Sequence, residues 1–321
     1  MKYELKPIKA EDVASLSSIF SDCFPAKSIS HSFKNQIKIA LANNQLDGFA
    51  LYGKRAQAVA VVFANKSLAK PDYGYVRFLH VNSSVKQDDH QSYENSEYRL
   101  FDAVFRHLKE TCTTIKFDSH YKKPSYTLQN YLVKLGFQRI VRINMVLHKS
   151  DMETLVEPEL PFGYEFVPWS KAMKTSTAKL LVEINDQSVD NLLLPFFTTI
   201  GGCERFIQDM IDNSFGGLGE KCTRVLTYNK EPIGICFLTR TSSNTINIPE
   251  VGILPAHRRK RLGKALVIHS FSNLIINQPN FSEISLTVTL DNVVAVKLYE
   301  SLGFKQTKET IDLIWRTRRK Y

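Results

Sequence analysis

The chain reads as an α/β (α+β) protein built from two tandem modules. Three observations predict this. Its 321 residues make about two domains at roughly 150 residues each. The two halves repeat one order of strand and helix patterns. Two Leu-Gly-Phe triplets, Leu135-Gly136-Phe137 and Leu302-Gly303-Phe304, each close a helix pattern, with their glycines 167 residues apart. Glycine suits the position just past a helix, where a positive φ costs it little. Repetition at this scale marks a duplicated unit.

The elements follow in parallel. Each half opens on a short strand and a helix, YELKPI with EDVASLSSIF, then YEFVPW with MKTSTAKLLVEI. Two β-rich runs come next, FALYG and AVAVVFA in the first half, TRVLTY and IGICFLT in the second. Gly53-Lys54 and Asn229-Lys230 are the hairpin-type turn signals beside them. A third run, YVRFLHV or INIPEVGIL, leads into a helix pattern, a strand (TTIKF or EISLTV) and the helix that ends at Gly-Phe. A last strand, RIVRINMVLH or TIDLIWR, is expected to close its own half. The segment DMETLVEPELPFG is acidic, holds two prolines and lacks a period, so it reads as a linker. The expected division is 1–150, a linker at 151–162, and 163–321.

Composition narrows the class. Hydrophobic residues make up 43% and charged residues 23%, an ordinary globular balance. No run approaches the ~18–20 apolar residues that span a bilayer, so no membrane association is expected. The opening MKYELKPIKAEDV has no apolar core, so no secretory signal is expected either. Five scattered cysteines without a CxxC pair fit small buried hydrophobes in a reducing, cytoplasmic setting. The net charge of +10 falls almost wholly in the first half, where 22 basic residues face 13 acidic ones. These lysines form no arm, so a solvated surface is preferred to a nucleic-acid site. Among the first-half histidines, His31, His80, His90, His107 and His120 show no metal-ligand spacing.

The chemistry concentrates at residues 249–266, PEVGILPAHRRKRLGKAL. A β-rich run meets a proline, which stops a ladder. A basic turn follows, and a helix opens near Leu262 or Gly263. The free N–H groups and positive dipole end of such a helix attract anions. Arg258, Arg259, Lys260 and Arg261 surround that end, where cations are unfavourable for the dipole alone. A polyanionic ligand would make them sensible. Downstream, LTVTLDNVVAVKLYESLGF places Asn292, Ala295 and Tyr299 on one helix face.

With these residues the second half resembles the GCN5-related N-acetyltransferase (GNAT) superfamily. The family's Arg/Gln-x-x-Gly-x-Gly/Ala signature corresponds to Arg258-Arg259-Lys260-Arg261-Leu262-Gly263, with Arg261 standing for the first glycine. Its Asn-x-x-Ala-x-x-x-Tyr and Gly-Phe signature corresponds to Asn292, Ala295, Leu298, Tyr299, Gly303 and Phe304. The resemblance implies two modules, each a mixed, mostly antiparallel sheet flanked by helices, with a splayed gap between strands four and five. It implies acetyl-CoA as cosubstrate and an N-acetyltransferase acting on a primary amine by direct attack. Its pyrophosphate would lie on the N–H groups of Arg261, Leu262, Gly263, Lys264 and Ala265, within reach of Arg258 and Arg259. Pantetheine would run along Val251 and Ile253. Tyr299 falls where the family places its general acid, and Glu250 is the candidate base. The apolar stretch from residue 185 to 219, with Asp186, Asp190 and Glu204, is expected to meet a small-molecule or peptide acceptor.

The first half lacks these residues. It has no matching loop, Asp88 and Asp89 would repel phosphate, and Leu132 stands where the second half has Tyr299. It is expected to be a degenerate copy that packs on the second and shapes its acceptor site. Two alternatives stay open, an aminoacyl-tRNA-dependent (Fem-like) transferase and a non-catalytic CoA-binding scaffold.

Overall fold

The computed structural model describes residues 3–24, 26–53, 57–67, 70–88, 90–117, 124–186, 188–213 and 217–317. The chain divides into two compact units, one of Met1–Ile140 with Ile311–Tyr321, the other of Val141–Thr310.

The first unit starts with β1 (Glu4–Pro7), a 3-10 segment and α1 (Ser17–Cys23), then α2 (Lys27–Ala42). An antiparallel meander follows, of β2 (Asp47–Tyr52), β3 (Ala58–Lys66) and β4 (Tyr73–Val81). Next come α3 (Ser83–Asp88), α4 (His90–Lys109), β5 (Thr114–Phe117) and α5 (Tyr126–Lys134). Strand β3 shows why AVAVVFA is apolar throughout. Alternate side chains face opposite sides of a sheet, and both sides are covered. Val61 and Phe63 meet Phe20, Phe33 and Phe78, while Ala60, Val62 and Ala64 meet the Leu100, Phe101 and Leu132 side.

The chain continues through β6 (Gln138–His148) into β7 (Tyr164–Pro168), α6 (Lys174–Ile184), α7 (Asp190–Leu193) and α8 (Ile200–Ile211). Then come β8 (Gly217–Leu218), β9 (Arg224–Tyr228), β10 (Glu231–Cys236), β11 (Thr239–Arg240), β12 (Thr245–Asn247) and β13 (Val251–Ile253). The last elements are α9 (Leu262–Asn277), β14 (Glu283–Thr289), α10 (Val293–Ser301) and β15 (Lys305–Arg316). Strand β10 repeats the two-sided pattern. Ile235 packs with α6 and α8, and Ile233 and Cys236 pack with Leu266, Val267 and Phe271 of α9.

Asn229 (φ 49°) and Lys230 (φ 71°) both take left-handed backbone between β9 and β10, as a two-residue hairpin requires. At the other hairpin Gly53 N–H donates to the Gln57 carbonyl, and Lys54 lies outside the described residues.

Two sequence expectations change. The last strand of each half does not close that half. β6 pairs antiparallel with β14, from His148↔Glu283 to Arg142↔Thr289. β15 pairs with β5, from Leu313↔Phe117 to Arg316↔Thr114. The chain therefore divides after residues 140 and 310, not across a linker at 151–162. Met152 is buried in the second unit's core, and Leu155 and Leu160 pack against it. Proline and acidic residues suggested a free connector, but the three apolar residues among them fasten it down.

Among the described residues β5 runs parallel to β4 from Tyr73↔Thr114 to Val76↔Phe117.

Candidate active site

In the second unit a proline builds the gap. β12 runs parallel to β14 from Thr245↔Glu283 to Asn247↔Ser285. The last link is Ile248 N–H to the Ser285 carbonyl, 2.9 Å. Pro249 comes next and has no N–H to continue the ladder. Beyond it β13 pairs with β10 alone, while β14 runs on to Thr289 against β6. The bonds from Phe237 N–H to the Glu250 carbonyl (3.0 Å) and from Leu254 N–H to the Ile233 carbonyl (2.8 Å) fix which residues face β10. By alternation the backbone groups of Val251 and the N–H of Ile253 turn to the open side, where the Ile253 carbonyl is already taken by Arg258. Pro255, singled out from the sequence, does end β13 and opens a 3-10 turn.

The basic turn divides its labour. Arg258, expected to reach phosphates, is spent on main chain. Its Nε donates to the Ile253 carbonyl (2.8 Å) and its Nη2 to the Ile184 carbonyl (2.9 Å), tying β13 to the end of α6. Gly252 lets α6 come that close, because a Cβ there would lie 2.2 Å from Ile184 Cγ2. Lys260 Nζ donates to the Tyr164 hydroxyl (2.9 Å), which also pairs with His257 Nδ1 (3.0 Å). Arg259 and Arg261 are exposed, and both have left-handed backbone, φ 63° and 60°. At Arg261 the chain follows the path that glycine takes freely, at a cost of roughly 1–2 kcal/mol for an arginine.

Arg261 is the N-cap of α9. Leu262, Gly263 and Lys264 open the helix, where N–H groups have no intrahelical partner. Ala265, expected among the free donors, is not one, since its N–H bonds the Arg261 carbonyl at 3.1 Å. Lys264 Nζ bonds the Ser301 carbonyl at the end of α10 (3.2 Å). A Cβ on Gly263 would meet only Leu298 Cδ2, at 3.7 Å. No protein packing demands glycine there, and a helix would gain about 1 kcal/mol from alanine. The room left by the missing Cβ suits a group lying against the backbone.

Asn292 caps α10, its Oδ1 accepting from Ala295 N–H at 3.3 Å. Ala295 is part-buried beside the core, and Tyr299 is buried on the same helix, its ring edge-on to Phe304 at 5.6 Å. Burial, then the charge of Glu250, then Cys236 and Asp190, hold the Tyr299 phenol well above its usual value. Glu250 follows the proline. Burial first, then the charge of Asp190, lift its carboxyl to about 8, against a hydrogen bond from Asn185. The thiols of Cys236 and Cys203 are pushed up to about 12, mainly by burial, which makes them poor nucleophiles.

Sequence reasoning missed the frame around Glu250. Asn185, buried at the end of α6, donates to Glu250 and to the Leu181 carbonyl (3.1 Å). Asn191 Nδ2 donates to the Asn185 carbonyl. Asp190 accepts from the Thr289 hydroxyl at 2.7 Å. Of the other acids expected near the acceptor, Asp186 is exposed and Glu204 accepts from Thr175 (2.7 Å). Small polar residues in a loop carry no spacing signal, so the sequence offers no pattern for this frame.

Residues 187–304 match the model of the acetyltransferase (GNAT) family. These residues form a GNAT acetyltransferase domain. The whole chain also matches solved structures of this kind. A GCN5-related N-acetyltransferase from Sphaerobacter thermophilus superposes with TM-score 0.61 at 12% identity, over 98% of this chain and 96% of that one. A tandem GNAT protein from the clavulanic acid biosynthesis pathway superposes with TM-score 0.55 at 13% identity over 100% of both chains. A glucosamine N-acetyltransferase region of a fungal β-N-acetylglucosaminidase gives 0.60 at 13% identity, over 98% of this chain and 38% of that one. Likeness at these identities speaks for the fold. No curated protein matches the sequence.

The first unit lacks the second unit's polar groups at two of the positions the repeat aligns. Leu132 is fully buried where the GNAT domain has Tyr299. His80 near the end of β4 pairs with Asp22 of α1 (2.8 Å), and Ser83 N–H donates to the same carboxylate (2.9 Å). Asp89, His120, residues 214–216 and the basic residues Arg318, Arg319 and Lys320 lie outside the described residues. Among the described residues no helix is long and apolar enough to cross a membrane.

Proposed function

We propose that the chain transfers an acetyl group from acetyl-CoA to a primary amine of a small-molecule or peptide acceptor, at one site in the unit Val141–Thr310. The observation that carries this reading is the break at Pro249. It sets an open strand edge, Val251 and Ile253, beside a helix N-terminus with exposed Arg259 and Arg261. An extended amide-bearing arm can pair with such an edge. A diphosphate suits the N–H groups of Arg261, Leu262, Gly263 and Lys264. Acetyl-CoA supplies the activated thioester carbonyl.

The residues of this chain would do the rest. Much of the rate would come from holding amine and carbonyl side by side. Glu250 accepts the amine proton as the C–N bond forms and the C–S bond breaks. Its value of about 8 suits a base working near neutral pH. The Tyr299 phenol, kept protonated, donates to the departing sulfur. Burial alone would make it a reluctant acid. The second cause of its raised value is the charge of Glu250. That charge disappears once Glu250 has taken the amine proton, so the first transfer eases the second.

The test is calorimetric titration of acetyl-CoA into the protein and into Gly263→Trp. Saturable binding at one site per chain, lost in the variant, is the expected result. Absence of binding to the unaltered protein sinks the reading.

A further inference from the structure

The turn before α9 is strained at two residues. Arg259 and Arg261 both hold left-handed backbone, with Lys260 between them. Neither is glycine, and an arginine keeps such a conformation only where the surrounding structure over-determines it. Arg258 anchors the turn at one end, and α9 begins at the other. In between, Lys260 does the holding. Its Nζ donates to the Tyr164 hydroxyl at 2.9 Å, and His257 Nδ1 meets the same hydroxyl at 3.0 Å. Two side chains three residues apart thus converge on one oxygen and close a ring over the turn.

A lysine offers three donors and no acceptor. The hydroxyl therefore accepts from it, which leaves the phenolic proton for His257 Nδ1. Among the described residues Lys260 has no carboxylate partner, so a neutral oxygen sets its place. Tyr164 is a rigid post for that purpose. It stands on β7, paired with Tyr228 of β9, and its side chain belongs to the second unit's buried core. Its ring lies 4.7 Å from that of Tyr228 and edge-on to His257 at 5.7 Å. Lys260 Nζ also lies 5.5 Å from the Tyr164 ring centroid, within reach of its π face.

We infer that Tyr164 is the positioning residue of the anion-binding turn, and that its hydroxyl, acting through Lys260, supplies what a glycine at 261 would give unaided. This rests on the acetyl-transfer reading. With the hydroxyl in place Lys260 cannot swing away, and Arg261 keeps the backbone that starts α9. The N–H groups of Arg261, Leu262, Gly263 and Lys264 then hold one direction. Without it the turn relaxes toward ordinary arginine backbone, and only a fraction of the molecules present those donors together. Affinity for a diphosphate falls by that fraction. Lys260 is then a strut rather than a phosphate contact.

The test is a double-mutant cycle read by calorimetry. Tyr164→Phe removes the hydroxyl and keeps the ring. It should raise the Kd for acetyl-CoA roughly tenfold, the scale of one hydrogen bond to a charged group. In an Arg261→Gly background the same change should cost about twofold or less, because glycine takes the left-handed path freely. The cation lost with Arg261 cancels in that comparison. Lys260→Met should reproduce the loss, add little to Tyr164→Phe, and serve if Tyr164→Phe fails to fold. Limited trypsin digestion reads the strut without a ligand. Tyr164→Phe should be cut faster between Arg258 and Leu262, with cleavage elsewhere unchanged. Unaltered affinity and cleavage overturn the inference and leave acetyl transfer standing. So does a loss equally large with arginine or glycine at 261, or losses at 164 and 260 that add. If the unaltered protein binds no acetyl-CoA, the transfer reading falls and digestion alone decides. Faster cleavage in Tyr164→Phe then keeps the strut, and equal cleavage overturns it as well.

Discussion

Burial lifts the Glu250 carboxyl from the ordinary 4.5 to about 8, with help from Asp190. The base is therefore mostly protonated at neutral pH. The rate should climb through a limb centred near pH 8 as Glu250 ionises. Glu250→Gln should lose that limb and slow transfer by roughly a hundredfold or more, as kcat/KM across pH would show. The same residue costs stability. A folded-state value above the unfolded one favours the folded state most below the unfolded pKa, and that advantage fades as pH rises toward the folded value. Glu250→Gln should thus raise Tm over the unaltered protein at pH 9 and give no such gain at pH 4. Thermal melts at both ends check the sign. Tyr299→Phe removes a donor and keeps the ring packed on Phe304. It should lower kcat while leaving the KM for acetyl-CoA near its starting value.

The junction of α6, β13 and the turn before α9 is a mechanical unit. Arg258 holds it through two carbonyls, so Arg258→Ala should cost about 2 kcal/mol of stability. Its effect on the KM for acetyl-CoA should be smaller than that of removing both Arg259 and Arg261. Gly252→Ala should also destabilise, by roughly 1–3 kcal/mol, because the added methyl runs into Ile184. Urea melts rank these variants. The sequence announced this junction only in part. The Leu-Gly-Phe glycines repeat at a fixed offset, and the opening of α9 and the Asn-Ala-Tyr face have a motif spacing of their own, so they were legible. Arg258 binds backbone carbonyls, which every residue has, and nothing in its spacing separates that from a phosphate contact. The proline that matters for the gap is Pro249. Pro255 drew attention because it follows the strand that a reader sees first. Asn185, Asp190 and Asn191 come together across α6, α7 and two strands, and only tertiary structure can do that.

At the scale of the whole chain, the repeated order of elements was visible but the pairing of the last strands was not. β6 and β15 carry ordinary strand patterns, and a strand pattern does not name its partner. Their exchange has a direct consequence for fragments. A piece spanning 1–150 lacks residues 311–316 and leaves β5 an open edge. A piece spanning 163–321 lacks β6 and exposes β14. Such edges invite aggregation. Each piece made alone should be insoluble or fail to unfold cooperatively, and the two made together should yield a soluble complex. A monodisperse, cooperatively melting 1–150 fragment would refute this. The exchange also sets a timetable on the ribosome. Domains made in sequence commonly fold in sequence, yet here the first unit waits for a segment translated only after the whole of the second unit. Until residues 311–316 emerge, β5 stays unpaired on that side, so the nascent chain must be kept from other chains while the second unit is being made.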